Sequence, residues 1–271
     1  MALQAARSVL PALPFPHEVI LSDNASSDST PNLEQALPGV RYIRHPELIP
    51  MAEHWNFCVA EAQGKYVKVL CDDDWILPGA LEREVAWLEG DPLLSMAASA
   101  RFEVSSQGNE IVESKGYSES DCRLSNERLT FAMLLGENIL GPPSCVTFRS
   151  DLFRGFPPGY KYAADWAAWI LLAELGGVAF LAEPGANFRL HDTNLTHRHV
   201  KEGTDFLEVQ ALRRECLRRL SGARRVIGTL LFAWIWTYRF TRRLARFFAR
   251  KEWNEALRFL WRILGYKAPS L

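Results

Sequence analysis

Three consecutive carboxylates end an apolar run in the segment Lys65–Pro78, KYVKVLCDDDWILP. Residues 66–70 are mostly β-branched, aromatic or aliphatic, which predicts a buried strand that ends at Asp72–Asp74. Like charges this close repel one another, and a hard divalent cation would relieve the repulsion. The alternative is a solvated acidic turn that caps a helix beginning near Pro78.

Two other acids stand next to predicted elements. Asp23 follows a predicted strand, Glu18–Leu21, and lies in the loop Ser22–Thr30, SDNASSDST. The Asp, Asn and Ser residues of this loop would also be expected if their side chains only capped the following helix or bonded to nearby backbone groups. Asp165 opens a predicted helix, where the helix dipole alone would favour an acid. A catalytic or binding role and a structural role therefore stay open for both residues.

Strands and helices alternate around the first two acidic loops. A helix is predicted over Met1–Leu13, strands over Glu18–Leu21 and Val40–Ile43, and a helix over Pro50–Ala62. This alternation predicts an α/β fold with a mostly parallel central sheet flanked by helices. Because ligands bind at the carboxyl ends of parallel strands, we expect the Asp23 loop and the acidic run to meet one ligand.

The next part of the chain contains further predicted elements. It is predicted to contain a hairpin, two helices and three further strands: hairpin strands 96–104 and 109–112, helices 126–135 and 163–175, and strands 145–148, 178–181 and 186–190. The last strand leads into Phe188–His191, FRLH. Arg189 or His191 would lie near the ligand there, and a structural pairing is an equal alternative for each.

The charge of the chain divides near residue 200. Residues 1–200 hold 15 Lys/Arg and 26 Asp/Glu, whereas residues 201–271 hold 16 Lys/Arg and 6 Asp/Glu. We therefore predict a globular domain over 1–200 and a basic amphipathic helical tail over 201–271. Five scattered cysteines without CxxC spacing favour reduced thiols and a cytoplasmic location.

The tail combines arginines with tryptophan and phenylalanine at helical spacing. Its longest charge-free apolar stretch, Val226–Tyr238, is shorter than a membrane-spanning helix requires. Such helices suit the surface of an anionic membrane, so we expect peripheral binding to its inner face. The alternative is that the tail packs on the domain and its arginines are solvated. No nucleic-acid-binding motif accompanies the charge.

Taken together, three motifs resemble those of the family 2 glycosyltransferases, which have the GT-A fold. They are Asp23-Asn24-Ala25-Ser26-Ser27-Asp28-Ser29-Thr30, Ala62-Gln63-Gly64-Lys65-Tyr66-Val67, and Asp72-Asp73-Asp74 followed by Pro78. The resemblance implies a nucleotide-sugar donor, with a UDP- or dTDP-sugar favoured, and Mg2+ or Mn2+ as cofactor. It implies donor-nucleotide binding by Asp23, Asp72 and Arg44. It also implies metal binding by Asp73, Asp74 and His191.

The chain departs from the family pattern at two places. The second acidic motif of the family is a pair of acids that carries the catalytic base, and Ala164 replaces the first of the pair, so Asp165 is the residue that matches. A first strand with a Pro-x-[YF]-N type segment precedes the first helix in the family, and here Met1 is followed directly by the helix. We therefore expect that the first strand is missing, through an upstream start codon or through degeneration of the chain.

The resemblance implies an inverting transferase that moves a sugar from the nucleotide to an acceptor hydroxyl. The acceptor would be a glycan or a lipid-linked sugar of a cell-envelope polysaccharide. The alternative is a non-catalytic module that keeps the fold and binds a nucleotide or a glycan. A nucleotidyltransferase is disfavoured because the sequence has no glycine-rich phosphate loop with a lysine.

Overall fold

The computed structural model describes residues 1–10, 13–136, 138–191, 199–200, 202–267 and 269. Its main helices are α1 (Ala2–Val9), α2 (Leu33–Ala36), α3 (Met51–Glu61), α4 (Ala80–Gly90), α5 (Asn126–Leu135), α6 (Ala164–Ala173), α7 (Thr204–Arg219), α8 (Gly222–Ala249) and α9 (Trp253–Gly265). Its strands are β1 (Ile20–Asp23), β2 (Arg41–Arg44), β3 (Tyr66–Val67), β4 (Trp75–Ile76), β5 (Leu94–Val104), β6 (Ile111–Lys115), β7 (Cys122–Leu124), β8 (Val146–Arg149) and β9 (Gly177–Arg189). The α/β class is confirmed.

The central sheet is mixed, which corrects the expectation of a mostly parallel sheet. Its strand order is β3-β8-β5-β9-β4, with β6 also paired to β5 and β7 to β9. Only β5 and β9 run parallel within this described sheet, and the other pairs are antiparallel. Short returns of the chain, such as the hairpin between β5 and β6, produce antiparallel neighbours where a crossover helix would produce parallel ones.

A separate two-stranded sheet is formed by β1 and β2. They are parallel, and the register places Asp23 opposite Arg44. Among the described residues, neither strand pairs with the seven-stranded sheet. The observed β1 also begins and ends two residues later than predicted, so Asp23 lies within the strand and not after it.

Several other predicted elements differ in length from the structure. The strand predicted over 66–70 contains only Tyr66 and Val67, because Lys68 leaves the ladder to pair with the buried Glu84. The two strands predicted over 178–181 and 186–190 form the single strand β9. Its pairing with β5 shifts register next to Pro184, so this proline marks a bulge and not a turn.

The hydrophobic core lies between the central sheet and the helices α5, α6 and α7. Helix α6 is buried almost all round, and Trp169 at its centre is fully buried against Phe148 and Phe156. Side chains of α7, including Leu212 and Cys216, belong to the same core cluster. The core therefore extends past residue 200, and it fixes α6 so that its first turn, with Asp165, lies at the edge of the core.

Candidate active site

The acidic loop lies between two short strands of the central sheet. It leaves β3, turns at Asp72 and Asp73, and enters β4, where Trp75 pairs with Asn187 of β9. Asp72 is exposed, whereas Asp74 is buried with 1% of its surface accessible. Burial, together with the charge of Asp73, raises the pKa of Asp74 to about 7. The loop thus holds a negative charge in a place where water cannot stabilise it.

Protein donors hold both oxygens of the Asp74 carboxylate. The Ser144 hydroxyl donates to Oδ2 at 2.7 Å, and the backbone N–H of Arg189 donates to Oδ1 at 3.2 Å. The Ser144 oxygen also accepts a hydrogen bond from the N–H of Cys71 at 3.1 Å. Ser144 therefore hydrogen-bonds to both ends of the acidic turn. Each Asp74 oxygen accepts one of these protein hydrogen bonds and keeps a second lone pair for a ligand.

His191 and Arg189 both reach the acidic loop from the end of β9. Nε2 of His191 lies 3.0 Å from Oδ2 of Asp73. Arg189 is buried, donates from Nε to the backbone oxygen of Asp73 at 3.0 Å, and lies over the Trp75 ring at 4.8 Å. The structure thus brings His191 to the predicted metal ligands, and Arg189 acts as a structural support of the loop.

The side chains of the loop fit a hard divalent cation. Ligand atoms of Cys71, Asp73 and Asp74 all lie within 4.8 Å of one another. Burial, followed by the charges of Asp74 and Asp73, raises the pKa of Cys71 well above its usual value, so this thiol stays protonated and is a poor ligand. The carboxylates of Asp73 and Asp74 remain as oxygen donors that suit Mg2+ or Mn2+, and His191, which pairs with Asp73, is not in this group of ligand atoms.

Asp165 lies in the first turn of α6, where it accepts two hydrogen bonds. The N–H of Trp166 donates to Oδ1 at 2.7 Å, and the Asn138 side-chain amide donates to Oδ2 at 2.8 Å. Burial raises the pKa of Asp165 to about 7, although both hydrogen bonds act to lower it. A carboxyl group with a pKa near neutrality can accept a proton and release it again, which is what a general base requires.

One short segment, Asn138–Ser144, connects Asp165 with the acidic loop. Asn138, at its start, holds Asp165, and Ser144, at its end, holds Asp74. Gly141 between them has a φ of +84°, and a Cβ there would come 3.0 Å from the Arg101 guanidinium and 3.1 Å from the Cys145 sulfur. The turn therefore requires glycine, and through it the two groups of acids are held against one segment.

A buried carboxylate from α7 caps the beginning of α6. Glu208 is 2% exposed and accepts hydrogen bonds from three consecutive backbone N–H groups, those of Lys161 at 2.9 Å, Tyr162 at 2.9 Å and Ala163 at 3.0 Å. These N–H groups precede the first residue of the helix and lack a partner within it. A negative charge at a helix N-terminus is also favoured by the dipole. Glu208 therefore positions the turn that carries Asp165.

Asp23 and Arg44 belong to a different cluster. The Asp23 carboxylate accepts hydrogen bonds from the Ser26 N–H at 2.8 Å and the Tyr42 hydroxyl at 2.7 Å, and the Arg44 guanidinium lies 3.5 Å away. Burial opposes ionisation of Asp23, but the bonds from Ser26 and Tyr42 outweigh it and lower its pKa. The described hydrogen bonds of the Asp23 carboxylate stay within this small sheet and its loop, and the expectation that one ligand meets both this loop and the acidic loop stays a prediction.

Asn138, Ser144 and Glu208 were not predicted from the sequence. Each holds a partner far along the chain: Asn138 is 27 residues from Asp165, and Ser144 is 70 residues from Asp74. Glu208 is 45 residues from Ala163. The one local signal was the Gly-Pro-Pro sequence before Ser144, which indicates a fixed turn but not its contacts.

The chain is similar to mycobacterial proteins and to a solved staphylococcal structure. It is 27% identical over 226 residues to "Uncharacterized protein MT1568" of Mycobacterium tuberculosis, covering 79% of this chain and 67% of the relative. It is 28% identical over 209 residues to "Uncharacterized protein Rv1520" of the same species, covering 72% of this chain and 56% of the relative. The chain thus spans between half and two thirds of these relatives.

The crystal structure of S. aureus TarS 1-349 matches the fold. Its TM-score is 0.61 at 16% identity, over 86% of this chain and 65% of that one. The complex of the same protein with UDP-GlcNAc gives a TM-score of 0.57 at 14% identity, over 81% of this chain and 63% of that one. The GT-A-like architecture expected from the sequence is therefore confirmed.

The family model described as "Glycosyl transferase family 2" matches residues 2–154. This range is more than half of the 271 residues, and it contains the Asp23 loop, the acidic loop and the Asn138–Ser144 segment. The protein belongs to glycosyl transferase family 2.

Proposed function

We propose that this chain transfers a sugar from a nucleotide-sugar donor to an acceptor hydroxyl, with inversion at the anomeric carbon and assistance from Mg2+ or Mn2+. The observation that carries the proposal is the joint placement of Asp165 and the acidic loop on the segment Asn138–Ser144. One side of that segment has a carboxyl group with a pKa of about 7, and the other has carboxylates close enough to share a cation. A base and a site for the leaving diphosphate are the two groups that such a transfer requires.

Different residues of the chain would carry out the proton transfer and the binding of the cation. Asp165 accepts the proton of the acceptor hydroxyl as that oxygen attacks the anomeric carbon, and Asn138 keeps the carboxylate oriented toward it. Asp73, Asp74 and His191 would hold the cation, and Ser144 and Arg189 fix the loop that carries them. The cation, when bound, neutralises the charge of the diphosphate, which carboxylates alone would repel.

The donor is proposed to be a UDP- or dTDP-sugar. TarS, which has the same fold, has been solved with UDP and with UDP-GlcNAc. Asp72 is exposed at the loop and is available to a ribose, and Arg44 is exposed at the end of β2 and is available to a base or a phosphate. We propose a glycan or a lipid-linked sugar as acceptor, and a cytoplasmic location stays a prediction.

A second candidate function is supported by the state of Asp23. Its carboxylate is bonded to Ser26, Tyr42 and Arg44 and has no accessible side-chain surface, so in this conformation a nucleotide base cannot reach it. A chain that binds a nucleotide or a glycan weakly, without transferring a sugar, would be consistent with this arrangement. The carboxylates present at Asp165 and in the acidic loop favour the enzyme over this binding module.

Transfer by an Asp165→Asn variant distinguishes the two functions. With UDP-GlcNAc and other UDP- and dTDP-sugars, Mn2+ and a panel of glycans, we expect the variant to release nucleotide about 10²–10⁴-fold more slowly than the wild type. Donor binding, measured by calorimetry, should be unchanged because Asp165 is not placed among the donor contacts. The wild-type rate should rise as the pH passes through about 7, since the base must be ionised.

Asp205→Asn is the matched control, because Asp205 is the second residue of α7 as Asp165 is of α6. It pairs with Arg243 outside the candidate site, so transfer per folded molecule should stay within about twofold of the wild type. Donor binding without any nucleotide release by the wild type would instead favour the binding module. Loss of donor binding in Asp165→Asn would place this residue in the donor site.

A further inference from the structure

The last two helices, α8 and α9, form a hairpin whose inner side is packed. Phe259 of α9 is 3% exposed and contacts Phe240 and Phe247 of α8, with the Arg243 guanidinium 5.1 Å from its ring centre. Gly228, near the start of α8, is buried, and a Cβ there would meet Leu134 of α5. The hairpin is therefore attached to the body of the protein along one side.

The outer side of α9 is apolar and uncovered. Five large exposed side chains, one, three or four residues apart along the helix, lie on it: Trp253, Leu257, Leu260, Trp261 and Leu264. We call these five residues the apolar face. Trp261 is 74% exposed and Leu264 is 82% exposed. An apolar surface of this kind on one helix is unusual for a water-facing element and indicates a binding surface.

Exposed apolar side chains also lie along α8. Positions spaced by four carry Val226, Leu230, Trp234 and Tyr238, all exposed. The next three positions in the same spacing are Arg242, Arg246 and Arg250, which we call the arginine row. The exposed Phe248 beside this row contacts Trp253, with ring centres 5.0 Å apart, so the arginine row and the apolar face meet at the turn of the hairpin.

The arginine row has no acidic partner among the described residues. Helix α8 contains no aspartate or glutamate. Two other arginines on α8 do have acidic partners, Arg224 with Glu127 and Arg243 with Asp205. In the described part of the chain, no carboxylate forms an ion pair with Arg242, Arg246 or Arg250, and all three are exposed. The row therefore presents positive charge outward, next to tryptophan and leucine side chains.

We propose that the apolar face and the arginine row bind the surface of an anionic lipid bilayer. Tryptophan and leucine side chains on one helix face partition into the boundary between headgroups and acyl chains, while arginines bind the lipid phosphates. No described helix is both long and apolar enough to cross a bilayer, so the hairpin lies in the interface. This proposal does not depend on the sugar transfer proposed above.

Charge complementarity selects a bilayer over a second copy of this chain. Two copies that met face to face would bring their arginine rows together, and like charges across an interface oppose association. The one acidic residue of α9, Glu255, already pairs with Arg258 of the same helix. An anionic lipid surface supplies the phosphates that the arginine row lacks.

Vesicle flotation of the full chain tests the proposal. We expect binding to vesicles of phosphatidylglycerol and phosphatidylcholine in equal amounts, and little binding to pure phosphatidylcholine. Replacing Arg242, Arg246 and Arg250 with Gln should weaken binding by about 100-fold, about fivefold for each charge. High salt should weaken wild-type binding in the same direction. The double variant Leu257→Ser and Leu264→Ser should weaken binding by about tenfold.

Matched controls carry the same changes elsewhere. Leu48 and Leu93 are 77% and 75% exposed outside the hairpin, so Leu48→Ser with Leu93→Ser should leave binding unchanged. Arg128→Gln, Arg154→Gln and Arg214→Gln remove three exposed charges from other elements and should have little effect. Absence of wild-type binding to anionic vesicles, or equal binding by all variants, would overturn the proposal. So would a dimer in sedimentation velocity that the Leu257 and Leu264 substitutions abolish, because the occupant would then be a second copy.

Discussion

The burial of Asp165, which suits its proposed role as a general base, also lowers the stability of the fold at high pH. Its carboxyl group is held among protein atoms, and burial raises its pKa from 3.8 to about 7. A raised folded-state pKa means that folding favours the protonated form. Its contribution to stability is therefore fully present below about pH 4 and is lost as the pH rises through about 7. The base that the reaction would use is thus held at some expense of stability above neutral pH.

Replacing Asp165 with Asn should relieve this cost. We expect the free energy of unfolding of Asp165→Asn, relative to the wild type, to rise between pH 5 and pH 8. Between these two pH values the ceiling is about 3 kcal/mol, because about one of the three pKa units of the shift is already expressed at pH 5, and the gain is smaller because Asp165 is partly exposed to water. Urea unfolding at both pH values measures it. The same difference in unfolding free energy at pH 5 and pH 8 would contradict the account of this carboxyl group.

The candidate acids could be chosen from the sequence because of the positions they occupy relative to predicted strands and helices. Asp23, Asp72–Asp74 and Asp165 all stand at or near the end of a strand or the start of a helix, where a side chain can reach a ligand. Ser144 and Asn138 follow no such rule, since each is defined by one hydrogen bond to a distant carboxylate. The sequence pattern contains no information on that pairing.

Helix α6 depends on α7 for the placement of its first turn. The N–H groups of Lys161, Tyr162 and Ala163 all donate to Glu208, which lies on α7. A hydrogen bond to a charged group contributes about 1.5–3 kcal/mol, so the three bonds to Glu208 strongly stabilise the turn before α6. A substitution that removes one of these hydrogen bonds should displace Asp165 and leave the acidic loop unchanged.

Glu208→Gln should lower the rate of sugar transfer more than donor binding. The amide NH2 of Gln cannot accept hydrogen bonds, so at least one of the three N–H groups loses its partner. We expect kcat to fall by about tenfold or more, since small misplacements of a catalytic group are costly, while KM for the donor stays within about twofold. Steady-state kinetics with varied donor measure both values.

Glu215→Gln is the control on the same helix, because Glu215 pairs with Arg218 and Arg219, and the other partner of Arg219, Glu174, lies at the opposite end of α6 from Asp165. It should leave kcat unchanged. A folded Glu208→Gln protein with wild-type kcat, or with KM raised in step with the loss of kcat, would show that Glu208 does not position Asp165. Circular dichroism of both variants checks that α6 and α7 remain helical.

The strand boundaries show where local pattern is insufficient. Pro184 and Gly185 predict a turn, yet β9 runs through them because β5 pairs along its whole length and the irregularity is absorbed as a bulge. Val69 and Leu70 are apolar enough to extend a strand, yet the chain leaves the ladder at Lys68, which pairs with Glu84. In both cases a contact with a distant element decides the local conformation.

The architecture of the whole chain was predictable in class but not in detail. The alternation of strands and helices gave the α/β class, and the motifs gave the family. The antiparallel pair of β5 and β6 confirms the predicted hairpin, but the antiparallel placement of β8 on β5 was not predictable, because strand order depends on which hydrophobic faces meet. Nor was the entry of α7 into the core, where Leu212 is fully buried beyond the predicted boundary at residue 200. That boundary stays a prediction.

The central claim is that the acidic loop binds the donor diphosphate through a divalent cation. Calorimetric titration of UDP into the full chain, with and without Mn2+, tests it most directly, using Asp73→Ala and Asp74→Ala as variants and the exposed Asp151→Ala as control. The account predicts that Mn2+ tightens UDP binding by about tenfold or more in the wild type and in Asp151→Ala, since the cation reverses the sign of the local charge. It predicts no such gain in Asp73→Ala or Asp74→Ala, both folded by circular dichroism. UDP affinity that is independent of Mn2+ in the wild type, and unchanged in both loop variants, would contradict it.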